Sequence, residues 1–398
     1  MKKVLIIMPS MFIGGAERSL LGLLENLDYG KVEVDLFLYR HEGEFLKFIP
    51  RQVHVLPEVK SYRTFDTPIK SLLLSSQFLF GLARIASKIA LKIHCARTHE
   101  ESGVWMSMQY TSHFLQPLLP EIEGEYDLGI MYLGVADTLI HKVRAKQRLT
   151  WNHTDYDTMF PDKKMDLETY QRVDRVVSVS ESCTEKVKLF YPQLSLKAIT
   201  IENCLAKRFI MEQAEVPIDD LRWCGGEYTL LSIGRYCEAK NFDNVPIMCR
   251  LLLEKGLSVK WYLIGYGSDE RRIKQKIKEE KMEEAVILLG KKENPYPYIA
   301  SCDLYVQPSR YEGKCVTVRE AQMLGKPVVI TRYDTSDCQL EDGVDGVIVP
   351  MDNEGCAAGI AALLCDPMKM AMLSDTCKKR DYSNICEIKK IEALWENI

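Results

Sequence analysis

Tyr311-Glu312-Gly313-Lys314-Cys315-Val316-Thr317-Val318-Arg319-Glu320-Ala321 sets two carboxylates eight positions apart across the expected junction of a strand-end loop and a helix. Just upstream, Leu304-Tyr305-Val306-Gln307-Pro308 reads as a short buried strand. Val318 to Leu324 reads as a helix, stopped by Gly325-Lys326-Pro327 before a further strand, Pro327 to Thr331. Glu312 then falls in the loop and Glu320 in the first turns of the helix. The amides of Val316, Thr317 and Val318 would point out of the helix N-terminus, where unpaired N–H groups and the macrodipole favour a diphosphate. Two carboxylates left free beside it suit hydroxyl groups, so the segment is shaped to grip a sugar nucleotide. Taken alone, Glu320 reads equally well as a glutamate that stabilises its own helix by under about 1 kcal/mol.

The same alternation of strand and helix runs along the whole chain. Strand-like runs in the first half are Val4 to Met8, Val32 to Tyr39, Tyr126 to Tyr132, Arg148 to Asn152, Arg175 to Ser180 and Ala198 to Glu202. The second half repeats the scheme with Tyr228 to Ile233, Val259 to Ile264, Ala285 to Leu289, Asp303 to Pro308, Pro327 to Thr331 and Gly346 to Val349. Strands separated by helices predict parallel sheets and an α/β fold. At 398 residues the chain suits two domains of about 200 residues each. The boundary is expected in the polar, irregular stretch Asn203 to Gly226, giving domains at 1–205 and 206–384 with a helical tail, 385–398. A cleft between two doubly wound domains is the default ligand site.

Composition narrows the function classes. Hydrophobic content of 46% and charged content of 27% describe a soluble globular protein, and no window approaches the roughly 18 consecutive apolar residues of a spanning helix. Met1 to Pro9 has too short an apolar run for a signal peptide and reads as a first strand. Thirteen cysteines at wide intervals, with no C-x-x-C and no His/Cys cluster, suit reduced thiols in a cytoplasm rather than disulfides or zinc. The net charge of -4 argues against nucleic acid as a partner.

One local patch stands apart. Lys60 to His99 holds seven Lys or Arg against Asp66 alone, interleaved with Leu72, Leu73, Leu74, Phe78, Leu79, Leu82, Ile85, Ile89 and Ile93. A basic amphipathic helix within residues 70–97 suits peripheral contact with an anionic membrane. A core-packing helix with a solvated basic face fits the same pattern.

Several smaller signals sit at expected strand ends. Gly234-Arg235-Tyr236-Cys237-Glu238-Ala239-Lys240-Asn241 follows Leu230 to Ile233, and Arg235 and Lys240 supply an Arg fork and a point charge for a leaving diphosphate. Gly265-Tyr266-Gly267 is a turn after Trp261 to Ile264. Gly14-Gly15-Ala16-Glu17-Arg18 follows the first strand and opens a helix; glycine there lets the backbone approach a ligand closely. It is not G-x-G-x-x-G, which disfavours a nicotinamide or flavin cofactor. His153, in Thr150-Trp151-Asn152-His153-Thr154, lies at the carboxyl end of a strand, where α/β domains bind ligands. Asp155-Tyr156-Asp157 spells a D-x-D, but Arg235, Lys240 and the helix N-terminus already supply positive charge, so no metal is expected.

Taken together, these segments resemble retaining GT-B glycosyltransferases of the large bacterial family 4 type, which build capsule, exopolysaccharide and lipopolysaccharide. Glu312 and Glu320 match the family's E-x7-E, Gly234 to Asn241 its G-R-x4-K-[GN], and Gly265 to Gly267 its G-x-G. Gly14 to Glu17 match G-G-[AS]-E, and the His153 segment matches H-[DT]-D/Y. A departure is Gly313-Lys314-Cys315, where many relatives carry Gly-Phe-Gly.

The resemblance implies two Rossmann-like domains facing across a cleft, acceptor-binding first and nucleotide-sugar-binding second, with the last helix crossing back to the first. It implies transfer of a hexose or N-acetylhexosamine from a nucleoside diphosphate, UDP by family weight, to a glycan or lipid-linked acceptor. His153, Glu312, Arg235 and Lys240 would serve the chemistry. Gly14, Gly15, Gly265, Gly267, Lys314, Cys315, Val316, Thr317, Val318 and Glu320 would hold the donor, with Glu320 on the ribose. No cofactor and no metal are implied, and the place of action is the cytoplasm, at the inner face of the membrane. Rival readings are a nucleotide-sugar epimerase of the same fold and a non-catalytic sugar-nucleotide-binding scaffold.

Overall fold

The computed structural model describes residues 1–154, 156, 159–224 and 228–396. Asp155 and Asp157 of the D-x-D, Gly226 at the expected boundary, and Asn397 and Ile398 of the closing segment lie outside the described residues. The chain divides into two compact units, Met1–Cys204 with Ile385–Ile398, and Leu205–Asn384.

The first unit is built on seven strands: β1 (Lys2–Met8), β2 (Val32–Leu38), β3 (His54–Val55), β4 (Glu125–Met131), β5 (Arg144–Asn152), β6 (Arg175–Ser178) and β7 (Ala198–Thr200). They lie in the order β3-β2-β1-β4-β5-β6-β7, every pair parallel. Successive residues of β1 serve opposite faces. Val4, Ile6 and Met8 enter one hydrophobic core, and Leu5 and Ile7 enter another on the far side. A sheet buried on both faces needs unbroken apolar strands rather than alternating ones, and that is how β1 reads.

The second unit carries β8 (Tyr228–Ile233), β9 (Val259–Ile264), β10 (Val286–Gly290), β11 (Leu304–Gln307), β12 (Val328–Thr331) and β13 (Val347–Val349). Their order is β10-β9-β8-β11-β12-β13, again all parallel. Leu230, Trp261 and Val306 face one core; Leu231, Tyr262 and Tyr305 face the other. Trp261 is fully enclosed and donates from its indole to Ser232 Oγ at 2.9 Å, and Ser232 donates to the Val306 carbonyl at 2.5 Å. In both sheets the strand order reverses once, between β1 and β4 and between β8 and β11. Doubly wound sheets bind ligands at the carboxyl ends of the strands flanking such a reversal.

Two segments differ most from the sequence-based expectation. The stretch taken as an irregular boundary contains a helix, Lys207–Ala214, whose Ile210 is buried in the second core. Trp223 packs on Tyr262 with ring centroids 4.4 Å apart, so this stretch is the opening layer of the second unit rather than a loose link. The two-residue strand β3 was not foreseen. The last helix, Ile388–Glu396, buries Ile388, Ile391 and Trp395 in the first unit's core beside Val4 and Leu24.

Candidate functional site

Arg235 follows β8, Gly265 and Gly267 follow β9, and Tyr311 to Cys315 follow β11, so the second unit gathers them at the carboxyl ends of adjacent strands. Lys240 ends a short 3-10 turn, Glu238–Lys240, and its ammonium is ion-paired with Glu312. Burial alone would disfavour that charge. The ion-paired Glu312 carboxylate more than offsets it and holds the lysine pKa above its ordinary value. Burial also raises the Cys315 thiol, which keeps it protonated, so Glu312 is the partner that holds the ammonium. The second contact of Glu312 is Ser309, whose hydroxyl donates to Oε1 at 2.6 Å. Thr335 Oγ1 holds the Glu312 backbone carbonyl at 2.8 Å.

Residues that the sequence did not single out fix this pair. Arg310 grips both carboxylate oxygens of the buried Asp243 at 3.1 Å. It also donates to the Glu238 carbonyl at 2.6 Å, and its backbone amide meets the Ala239 carbonyl at 2.7 Å. Arg310 therefore ties the loop after β11 to the turn that presents Lys240. Arg235, in contrast, is exposed and has no ion-pair partner among the described residues.

The helix after the loop is Val316–Met323, starting two residues earlier than the sequence suggested. Its first three amides belong to Val316, Thr317 and Val318, groups that an α-helix leaves without internal partners. Cys315, expected among the donor contacts, is otherwise engaged. Its amide donates to Gln339 Oε1 at 2.7 Å, and its carbonyl accepts from Gln339 Nε2 at 3.2 Å. Val316, Thr317 and Val318 thus supply the amides left for an anion. Thr317 Oγ1 lies 2.8 Å from the Tyr305 hydroxyl, which orders this first turn on the strand beneath it.

Glu320 is fully buried, and its Oε1 accepts from Tyr296 at 2.9 Å. Glu320 lies in the second turn of the helix, inside the unit, which does not suit the alternative reading of it as a first-turn glutamate that stabilises its own helix. With no exposed surface, Glu320 would be reached by a ribose hydroxyl only if the side chains around it shift. Lys314 is half-buried beside the loop. Gly265 and Gly267 have positive φ and a packing reason to be glycine. A Cβ would stand 1.9 Å from the Gly234 carbonyl oxygen at the first and 2.3 Å from the Tyr236 carbonyl oxygen at the second. They let the loops after β8 and β9 touch, which fixes the backbone on either side of Arg235.

In the first unit, Gly14 caps α1 (Gly15–Asn26), and Gly15 is exposed at the first helical position. His153 follows β5, with its ring nearly parallel to Trp151, and Nε2 lies 2.9 Å from the Tyr132 carbonyl oxygen. A carbonyl only accepts, so Nε2 carries the proton and Nδ1 keeps its lone pair. Burial lowers the imidazole pKa to about 4, against the smaller opposing effect of that bond. The Tyr132 hydroxyl is 2.7 Å from Ser19 Oγ on α1, and Ser19 donates to Asn203 Oδ1 at 2.7 Å. Tyr132 thereby links His153 to the Gly14–Gly15 helix. Among the described residues, no group of three or more His, Cys, Asp or Glu is placed to hold a metal ion.

Comparison with known proteins bears on this geometry. Residues 218–380 match the profile of the family described as glycosyl transferases group 1. The amylovoran biosynthesis glycosyltransferase AmsK of Erwinia amylovora is 32% identical over 143 residues, a match that spans 34% of this chain and about a third, 34%, of that protein. The N-acetylgalactosamine-N,N'-diacetylbacillosaminyl-diphospho-undecaprenol 4-alpha-N-acetylgalactosaminyltransferase of Campylobacter jejuni is 24% identical over 384 residues, 96% of this chain and 95% of that one. Among solved structures, Anabaena HepE in complex with UDP superposes with a TM-score of 0.67 at 16% identity, covering 100% of both chains.

Proposed function

From a chain with the GT-B fold and a group 1 glycosyltransferase domain in its second unit, we propose a retaining, metal-independent hexosyltransferase. It moves a hexose or N-acetylhexosamine from a UDP-sugar to a hydroxyl of a glycan or lipid-linked acceptor in surface polysaccharide synthesis. The observation that carries this reading is the joining of Lys240, Glu312 and the amides of Val316 and Thr317 at one strand-end switch point. Leaving-group departure from a sugar nucleotide builds negative charge on the diphosphate. Arg235, Lys240 and the helix N-terminus are the groups that would stabilise it. Glu312, held by Lys240 and Ser309, keeps one oxygen with neither of these bonds and suits a sugar hydroxyl. For His153 the role is a neutral acceptor, through Nδ1, for another sugar hydroxyl.

UDP as the donor base is supported by the UDP-bound structures of the same fold. The lipid-linked acceptor is supported by the Campylobacter jejuni relative, whose name describes transfer to a diphospho-undecaprenol-linked sugar. A location at the inner face of the cell membrane follows from such an acceptor. Among the described residues no single helix is long and apolar enough to cross a bilayer.

The test is a panel of nucleoside diphosphate sugars read by thermal shift and by UDP release, with and without EDTA, followed by NMR of the anomeric centre of the product. Stabilisation by one UDP-sugar, EDTA-insensitive turnover and a retained α-configuration support the reading. A bound donor with an inverted product, or with turnover abolished by EDTA, overturns the mechanistic part. Binding without any turnover favours a scaffold.

A further inference from the structure

The helices α2 (Ile69–Leu73) and α3 (Phe78–Thr98) of the first unit carry the largest departure from the rule that apolar side chains are buried. Leu74, Phe78, Leu79, Leu82, Ile89 and Ile93 are between 46% and 80% exposed. On α3, Phe78, Leu82, Ile89 and Ile93 stand at i, i+4, i+11 and i+15, which places them in one stripe along a single helix face. The opposite face is anchored. Gly81 and Ser87 are buried, Phe80 and Ala83 pack on the core, and Arg84 donates to the carbonyls of Thr64 and Thr67 at 2.8 and 2.7 Å. The stripe is thus held outward by its own scaffold, and core packing does not account for it.

Charge identifies the occupant. Lys70, Lys88, Lys92 and Arg97 are exposed, and no ion pair engages any of them among the described residues. No Asp or Glu occurs between Asp66 and Glu100. Lys88 and Lys92 immediately precede Ile89 and Ile93 and flank the stripe. A second copy of this chain would bring like charges together across an apolar face, whereas a bilayer with anionic headgroups satisfies both at once.

We propose that the α2–α3 face is a membrane-docking surface that lies in the interface of an anionic bilayer, with the stripe inserted and Lys70, Lys88, Lys92 and Arg97 on phosphate headgroups. The helix lies on the membrane rather than across it, since it carries four cations in 21 residues. This inference rests on the first unit alone and stands or falls independently of the donor reading.

The experiment is flotation of the full chain with vesicles of phosphatidylcholine, alone or mixed with phosphatidylglycerol, in the absence of any sugar nucleotide. Wild type should float with the anionic vesicles and lose binding in high salt. Lys88→Glu with Lys92→Glu, and separately Leu82→Ser with Ile89→Ser, should each weaken binding by about tenfold or more, with unchanged circular dichroism. Hydrogen exchange on the wild type gives a readout independent of the variants: residues 78–93 should gain protection when anionic vesicles are added. No binding to anionic vesicles, equal binding by wild type and both variants, or no added protection would overturn the proposal. So would a wild-type dimer in light scattering that Leu82→Ser with Ile89→Ser dissociates, since a second copy would then cover the face.

Discussion

The imidazole Nε2 of His153 donates to the Tyr132 carbonyl across 2.9 Å, and the same tyrosine's hydroxyl reaches Ser19 on α1. This bond assigns the tautomer, and burial keeps the ring neutral, with a pKa near 4. A histidine held below its unfolded value of 6.5 binds fewer protons folded than unfolded between those limits. Its contribution to stability is present above pH 6.5 and is lost as pH falls toward 4. Burial gives Asp166 the opposite sense, raising its pKa to about 6, so that protonation on acidification favours the fold. A stability curve would blend the two, so the midpoint is best followed on the ring itself by NMR. The expected titration of His153 lies below pH 5, and turnover shows no acidic limb near 6.5 that disappears in His153→Gln. A ring midpoint near 6.5 would refute the assignment.

Lys240 and Arg235 are both cations of the candidate donor site, yet their surroundings predict different behaviour on removal. Lys240→Ala leaves Glu312 largely enclosed without its counter-charge and should cost the second unit about 3 kcal/mol. Arg235→Ala removes an exposed, unpaired side chain and should change stability by less than about 0.5 kcal/mol. Its expected effect is on transfer, about a hundredfold in kcat, as for other groups that meet developing charge. Denaturant midpoints and donor kinetics on the two variants check the contrast. Equal losses of stability would show that the ion pair does not organise the site.

How far such features could be read in advance depends on whether their partners lie near in sequence. The strands Tyr228–Ile233 and Val259–Ile264 were legible to their end residues, because both faces of each are buried and apolar residues dominate both runs. The start of the Val316 helix was misplaced because Val316 and Thr317 are β-branched, weak helix formers that the first turn nonetheless accepts. Lys207–Ala214 was lost because it is short, polar in half of its positions, and buries one residue, Ile210. Arg310, Gln339 and Tyr132 carry no motif. Arg310 acts on a carbonyl 72 positions away and Gln339 on a backbone 24 positions away, distances over which a single sequence offers no pattern.

Gln339 clamps both backbone groups of the buried Cys315, the residue that caps the Val316–Met323 helix. Gln339→Ala strands a buried donor and acceptor and should cost about 2 kcal/mol. Because the loosened residue precedes the Val316 and Thr317 amides, UDP affinity should fall as well. Gln339→Glu retains an acceptor for the Cys315 amide but no donor for its carbonyl, and should be intermediate in both respects. Thermal melts with and without UDP on the three proteins separate the effects. A destabilised Gln339→Ala that binds UDP as tightly as wild type would detach the clamp from the ligand site.

Gly265 and Gly290 both have positive φ, but only the first lies against another backbone. At Gly290 nothing stands within 4 Å of a notional Cβ, so Gly290→Ala meets conformational strain alone, about 1 kcal/mol. At Gly265 the same atom would stand 1.9 Å from the Gly234 carbonyl oxygen, and a backbone neighbour has no rotamer by which to yield. The loop after β8 must then move, and Arg235 moves with it. Gly265→Ala should therefore lose more stability than Gly290→Ala and also weaken UDP binding, whereas Gly290→Ala should bind normally. If both variants melt alike and bind UDP alike, the contact between the two loops does not set the position of Arg235.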